Sequence, residues 1–507
     1  MPDFHAEPYL YLAGLTHKAA LIAWGGFYFR VRSRRDGDEW KLVDDSDLDH
    51  VHPPRRESIG ARSEPFGSAR VEVFDSSGAL AGCAETTATN HAWVTGLAPD
   101  TEYTYRVVVN GEEWAAGERR DWATDAGGQG LRLGGRFYDN RFRTHPHPEA
   151  RAPLTFAVIG DFGIGVRRPS GPTRCQREVA AALDKAVAAR GVRLLLTTGD
   201  NIYAGKTLLG LPVGITGDED DDWFFTFYQP YRYVINRIPV YPAVGNHDTG
   251  ETEASDDRQQ LIDNFFLDER FTGEESAGRS SIGPGLMYRF HYGADVEFVC
   301  VDTSRQSWLF GDRFFEHANH AAFLDAAFPP ADGGEAARPW RIPFTHHPPF
   351  CAGPKHSNSK SMLRHLVPLF QRSGVKAVFS GHEHNFQHSR VGGVDYFISG
   401  AGGKVRPEPP SDFAKAHTTS WASAGNFLVV DVAADRMVVT AMAALGADGE
   451  LSELVTFDPA GERAAPTFVI ERDRASAGGR RAPAYFTRVQ SDEHAAEVSI
   501  EAEAKKL

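Results

Sequence analysis

Cysteine is scarce in this chain: 507 residues hold only Cys83, Cys175, Cys300 and Cys351, scattered and without a CxxC pair. That scarcity excludes a disulfide framework and a thiolate zinc site, and the four read as small buried hydrophobes, with Cys351 placed near the cleft discussed below. Long apolar runs are missing too, and none approaches the roughly 20 residues a membrane-spanning helix needs. The start, MPDFHAEPYLYLAGLTHK, has no basic stretch followed by an apolar one, so no signal peptide is visible. A cytoplasmic protein is the expectation, although a trimmed secreted or periplasmic chain with an added Met would read alike. Positive charge is in the minority, 54 Lys and Arg against 68 Asp and Glu, for a formal net charge of −14. Such a balance argues against a partner as large as long nucleic acid or an anionic membrane surface. A small anionic substrate stays open, because a bound metal ion can reverse the local field.

What is present is a 41% hydrophobic content, enough for a large core and two or three domains, and 20 histidines, many in the second half. Residues 1–146 read as all-β, with segments such as YLYLAGL, ALIAWGGFYFRV and ARVEVFD between Gly, Ser and Asp turns. In LAPDTEYTYRV (97–107) a turn leads into strict alternation, with Tyr placed as in a tyrosine corner. This region resembles a fibronectin type III-like sandwich. THPHPEARAP (144–153) has the composition of a linker.

From 154 to 447 strands alternate with helices. TFAVIG, RLLLTT, PVYPAV, VEFVCV, RIPFTH and KAVFSG are short buried strands. RCQREVAAALDKAVAAR, WFFTFYQPYRYVI, FEHANHAAFLDAAF and MLRHLVPLFQRSG are helical. Repeated βαβ units imply an α/β domain. Residues 448–507 are mixed, with strand candidates ELVTF and TFVIE and an acidic end, and are taken as a C-terminal extension.

Polar residues gather where buried strands end, the place where open α/β sheets bind ligands. Asp161-Phe162-Gly163 follows TFAVIG, Gly199-Asp200-Asn201-Ile202-Tyr203 follows RLLLTT, and Gly245-Asn246-His247-Asp248 follows PVYPAV. His346-His347-Pro348 follows RIPFT, and Gly381-His382-Glu383-His384 follows KAVFS. Carboxylate, amide, phenol and imidazole without thiolate suit Fe, Mn, Zn or Mg. There are more donors than one ion needs, which suits two ions about 3.5–4 Å apart.

The ordered series DxG, GDxxY, GNHD, HxP and GHxH resembles the calcineurin-like metallophosphoesterases, and within them the purple acid phosphatases. Most of that superfamily has a ligating His as the third residue of the first motif; here Gly163 stands there and the second motif supplies Tyr203, as in purple acid phosphatases. The resemblance implies a catalytic domain of two packed mixed sheets flanked by helices. It also implies Fe(III) on Asp161, Tyr203 and His384, a bridging Asp200, and a divalent ion (Fe, Zn or Mn) on Asn246, His346 and His382. Hydrolysis of phosphate monoesters by a metal-bound hydroxide follows from the same resemblance, with a small phosphorylated substrate. His247 would bind phosphate or protonate the leaving group, oriented by Asp248, and His356 would contact substrate. A phosphodiesterase of the same superfamily is the alternative, and an inactive binding protein a third reading. The sequence sets no oligomeric state.

Several features read as decoys. His347 is expected to turn away from the site, and His317 and His320 to be solvated or capping. His291 and His388 read as structural. The acidic run 218–222 lacks the spacing of a calcium loop and reads as a solvated cap. Gly400-Ala401-Gly402-Gly403-Lys404 lacks the Ser or Thr of a phosphate loop and reads as a tight turn bordering the site.

Overall fold

A computed structural model describes residues 3–34, 37–43, 67–125, 127–203, 206–208, 211–213, 222–248, 256–272, 281–282, 286–304, 318–331 and 340–472. In the N-terminal part, Asp3–Leu15, Ala19–Arg34, Gly37–Leu42 and His91–Thr95 form one antiparallel sheet. Ala69–Phe74, Leu80–Thr86, Glu102–Val109, Glu112–Glu113 and Arg141–Arg143 form another. Leu10, Leu12, Ile22 and Trp24 meet Val71, Val73, Tyr105 and Val107 between them, which gives a β-sandwich. Tyr103 accepts the Ala98 amide on its hydroxyl at 2.9 Å, the corner expected from LAPDTEYTY.

The first sheet is buried on both sides. Period-2 alternation sends Leu10, Leu12, Ile22 and Trp24 into the sandwich and Tyr9, Tyr11, Leu21, Phe27 and Phe29 into the core of the α/β region. Both faces being covered, YLYLAGL is apolar throughout instead of alternating with polar residues. An ion pair ties the two regions: Arg232, on the helix Gln229–Ile235, reaches Glu7 at 2.9 Å, with the side chains 2% and 3% exposed. The expected linker is also fastened, since Thr144 donates through its hydroxyl to Ala98 O at 2.6 Å and His145 N–H donates to Thr16 O at 3.0 Å.

The α/β region holds two mixed sheets. One runs Val240–Pro242, Leu195–Thr197, Leu154–Ile159, Phe427–Val432, Arg436–Leu445, Glu450–Glu453, with Thr467–Glu471 also on Arg436–Leu445. Its first three strands are parallel. The other carries Val296–Val301, Trp340–Thr345, Ala377–Ser380 and Val394–Ser399 in parallel, flanked by antiparallel strands. Phe156 of the first meets Phe298 and Phe379 of the second edge-on at 5.1 and 5.9 Å, so the sheets pack face to face. The helix Gln176–Arg190 ends on Gly191 in the left-handed region, as its sequence suggests. The segment WFFTFYQPYRYVI is a π-helical turn, Phe224–Tyr228, running into the α-helix Gln229–Ile235.

Two sequence readings change here. Glu450–Glu453 and Thr467–Glu471 extend the first sheet, and Thr456–Phe457 and Arg463–Ala464 the second, so residues 450–471 complete the two mixed sheets. Cys83 is exposed on the edge strand of the sandwich, whereas Cys300 and Cys351 are buried as expected. No helix among the described residues is long and apolar enough to cross a membrane.

Candidate metal centre

The parallel strands Leu154–Ile159, Leu195–Thr197 and Val240–Pro242 end side by side, and Trp340–Thr345 and Ala377–Ser380 end against them from the second sheet. Each chain turns sharply there. Asp161 (φ 55°), Asp200 (φ 52°) and His382 (φ 73°) all sit in the left-handed region, which costs a non-glycine residue about 1–2 kcal/mol. Such strain persists where the surroundings over-determine it, commonly at functional sites.

The side chains converge. Ligand atoms of Asp161, Asp200 and His346, all buried, lie within 4.8 Å of one another, and so do those of His346, His347 and His382. Asn246 Oδ1 stands 2.9 Å from His346 Nε2 and 3.1 Å from His382 Nδ1, and those two nitrogens are 3.1 Å apart. His346 Nδ1 contacts Thr198 O at 2.8 Å, leaving Nε2 toward the cluster. On the other side Tyr203 Oη is 3.1 Å from His384 Nε2, which is 3.5 Å from Asp161 Oδ1. Tyr203 is buried.

The electrostatics fit a cation. Burial and the charge of Asp200 push Asp161 well above the usual carboxylate range. Burial acts on Asp200 in the same sense, but His346, His247 and the His247 amide outweigh it and hold Asp200 at about 2. Burial and neighbouring imidazoles hold His382 neutral, and burial with Arg406 does the same for His384. Asp161 Oδ1 is buried with no hydrogen-bond partner. Two buried carboxylates, one with an orphaned oxygen, and neutral imidazoles on hard oxygen donors are what a metal site requires.

All seven residues expected as ligands therefore come together. His247 joins them, its ring 4.6 Å from that of Tyr203 and its amide donating to Asp200 Oδ1 at 2.9 Å. His356 also arrives, its ring 3.8 Å from that of His382, and burial with Arg406 and Lys355 holds it down at about 4. Asp248 plays a different part from the expected one of orienting His247. Its carboxylate accepts Gly245 N (2.7 Å), Asn201 Nδ2 (2.8 Å) and Ile202 N (3.0 Å), tying the second and third motifs together.

His347 corrects the sequence reading. Its Nδ1 is 3.1 Å from Thr303 Oγ1 and its ring is 4.3 Å from that of His382, so it belongs to the cluster. The HxP spacing picks out one ligand and carries no information on the neighbouring ring. Residues 204–205, 249–255 and 305–317, His317 included, lie outside the described residues, as do 218–221 of the acidic run. Asp222 pairs with Arg167, and its carbonyl accepts the amides of Phe225 and Thr226 at 3.1 Å each, a helix start as expected. His320 is buried, contrary to a solvated role. His388 is structural, 2.8 Å from Asp395 inside the second sheet, and His291 lies 3.9 Å from Glu297.

Gly163 explains the first motif. A Cβ there would stand 2.3 Å from the carbonyl carbon and oxygen of Asn201 and 2.4 Å from Ile202 N, so no side chain fits. The segment that excludes a histidine is the one that delivers Tyr203.

Polar side chains thus gather at the ends of parallel strands in two facing mixed sheets, and residues 154–386 match the calcineurin-like phosphoesterase family. The chain is similar to human tartrate-resistant acid phosphatase type 5, 25% identical over 317 residues, which is 59% of this chain and 89% of that one. In fold it is similar to the yellow lupin purple acid phosphatase PPD1 (TM-score 0.54, 13% identity, 93% of this chain and 75% of that one). It is likewise similar to PhoD (TM-score 0.57, 12% identity, 100% and 99%). Residues 154–386 are a calcineurin-like phosphoesterase domain, and the matches support a purple acid phosphatase-like phosphoric ester hydrolase.

Proposed function

We propose that the protein hydrolyses phosphate monoesters at a dinuclear metal centre. Asp161, Tyr203 and His384 would hold Fe(III), Asp200 would bridge, and Asn246, His346 and His382 would hold a divalent Fe, Zn or Mn ion. The observation that carries this reading is that Gly163 stands where a ligating histidine is expected while Tyr203 supplies a phenol, with both donor groups converging around Asp200. A phenolate is a hard anionic donor suited to a ferric ion. When bound, the ions would supply Lewis acidity and activate water.

The chain's own residues do the rest. His346, fixed through Nδ1 on Thr198 O, presents Nε2 toward Asn246 and His382. His247 is half-buried beside Tyr203 and Asp200, where it can contact the ester phosphate or hand a proton to the leaving oxygen. His356 and His347 wall the same side through their contacts with His382. The β-sandwich reads as fibronectin type III-like, supported by the Tyr103 corner.

Metal analysis and a visible spectrum of one purified sample test the assignment, with p-nitrophenyl phosphate and bis-p-nitrophenyl phosphate as substrates. The expected result is about two ions per chain, iron among them, a charge-transfer band abolished by Tyr203→Phe, and faster turnover of the monoester. A colourless, iron-free, active protein would refute the purple assignment, and preference for the diester would refute the monoester reading.

A further inference from the structure

The segment 400–406, GAGGKVR, contributes none of the proposed ligands, yet it is laced through the centre of the site. Gly402 N donates to Gly160 O at 2.9 Å, Gly403 N to Asp161 O at 3.2 Å and Arg406 N to His384 O at 2.8 Å. A Cβ on Gly403 would stand 2.3 Å from Phe162 O, so the loop lies flush against the first motif. This lacing sets Lys404 Nζ 5.7 Å from the centre of the Tyr203 ring.

Arg406 is anchored next to it. Its Nε donates to Glu383 Oε1 at 2.6 Å, and the fully buried Glu383 accepts the amides of Lys355 and His356 on Oε2 at 3.2 and 2.8 Å. One carboxylate thus joins the loop of Lys404 to the loop of His356 and balances the guanidinium of Arg406. Lys355, Lys404 and Arg406 form a basic rim on an otherwise acidic protein.

We propose that Lys404, on a loop fixed through Glu383 and Arg406, is a substrate-recognition residue that selects phosphate monoesters whose leaving group carries a second anionic group. The proposal rests on the monoesterase reading above. The ester phosphate would be met by the metal centre and its histidines. An ammonium beside the Tyr203 ring stands to one side of that centre, where the leaving group's own charge would lie. A flexible stem ending in a point charge tolerates a carboxylate or phosphate at varied distance, which a rigid guanidinium fork does not.

The test uses the metal-loaded full chain with D-3-phosphoglycerate and glycerol 3-phosphate, which differ by a carboxylate against an alcohol. Calorimetry gives affinity and phosphate release gives kcat/KM. Wild type should favour phosphoglycerate about tenfold in both, Lys404→Gln should reduce the preference to about twofold or less, and Lys404→Arg should keep part of it. The preference should shrink with added salt. Equal affinity of wild type for the two compounds, or a preference that survives Lys404→Gln, overturns the proposal. Failure to hydrolyse glycerol 3-phosphate would count against the monoesterase reading instead, and calorimetry still decides the role of Lys404.

Discussion

The amide of Tyr203 donates to the carbonyl of Gly163 at 3.2 Å, while the amide of Gly163 donates to the carbonyl of Asp200 at 3.1 Å. The first two motifs thus touch main chain to main chain, and the loss of a side chain in one makes room for the phenol of the other. Gly163→Ala pushes a methyl group into the Asn201 carbonyl, an overpacking worth about 1–3 kcal/mol. The expected outcome is a lowered melting temperature together with loss of bound metal, by thermal unfolding and elemental analysis. A variant with wild-type metal content would show that the loop yields easily.

Asp248 joins the second motif to the third, accepting three N–H donors on its two oxygens. Asp248→Asn replaces one accepting oxygen by an amide donor and leaves at least one buried N–H unsatisfied, a cost of about 1–3 kcal/mol. Denaturant titration should register that loss. If Asp248 instead transferred protons, the pH profile of kcat would change shape while stability held.

The Glu7–Arg232 pair is nearly free of solvent, and removing Glu7 takes away the nearer of the two carboxylates within 4 Å of Arg232. Glu7→Gln should therefore destabilise the whole chain by about 3–5 kcal/mol and lower the cooperativity of its unfolding. Replacing both residues by Gln and Met should recover much of the loss. A single variant as stable as wild type would mean that water reaches Arg232.

His145 is buried against Tyr292, and burial with the charges of Arg193 and Arg270 holds it down at about 3. The folded state therefore prefers the neutral ring. Its contribution is complete above the unfolded value near 6.5 and is lost as pH falls from there towards 3. By pH 4 the loss is about 3 kcal/mol. Stability measured between pH 7 and pH 4 should fall less steeply in His145→Phe than in wild type, and parallel slopes would contradict the assignment.

Much of the site was legible because its chemistry lies at strand ends, where a buried apolar run stops and a polar residue must have a purpose. The convergence of Asp161 and His384, more than 200 residues apart, followed from that pattern together with the family resemblance. What stayed hidden depends on direction and packing. Sequence spacing distinguishes His346 from His347 as a ligand and says nothing of where the second ring goes. Asp248 looked like a partner for the adjacent His247, whereas its hydrogen bonds run to the second motif and Gly245. Glu383 sits between two candidate ligands, and its link to Arg406 and the His356 loop is purely tertiary. The Pro- and His-rich segment at 144–153 has linker composition, yet the buried hydroxyl of Thr144 bonds it to the sandwich. Strands beyond residue 447 were visible, though not the sheets they join.

The sheet that faces two ways has a practical consequence for anyone dissecting this enzyme. Tyr9 lies 4.6 Å from Tyr228, Phe27 5.1 Å from Phe224 and Tyr11 5.8 Å from Phe227, ring centre to ring centre. A catalytic half produced from residue 147 onward would surface with these aromatic partners bare to water and Arg232 shorn of its carboxylate. It would be a sticky fragment prone to self-association. The sandwich is thus less a detachable passenger than a missing wall of the hydrolase, and limited proteolysis between the two should abolish solubility along with turnover.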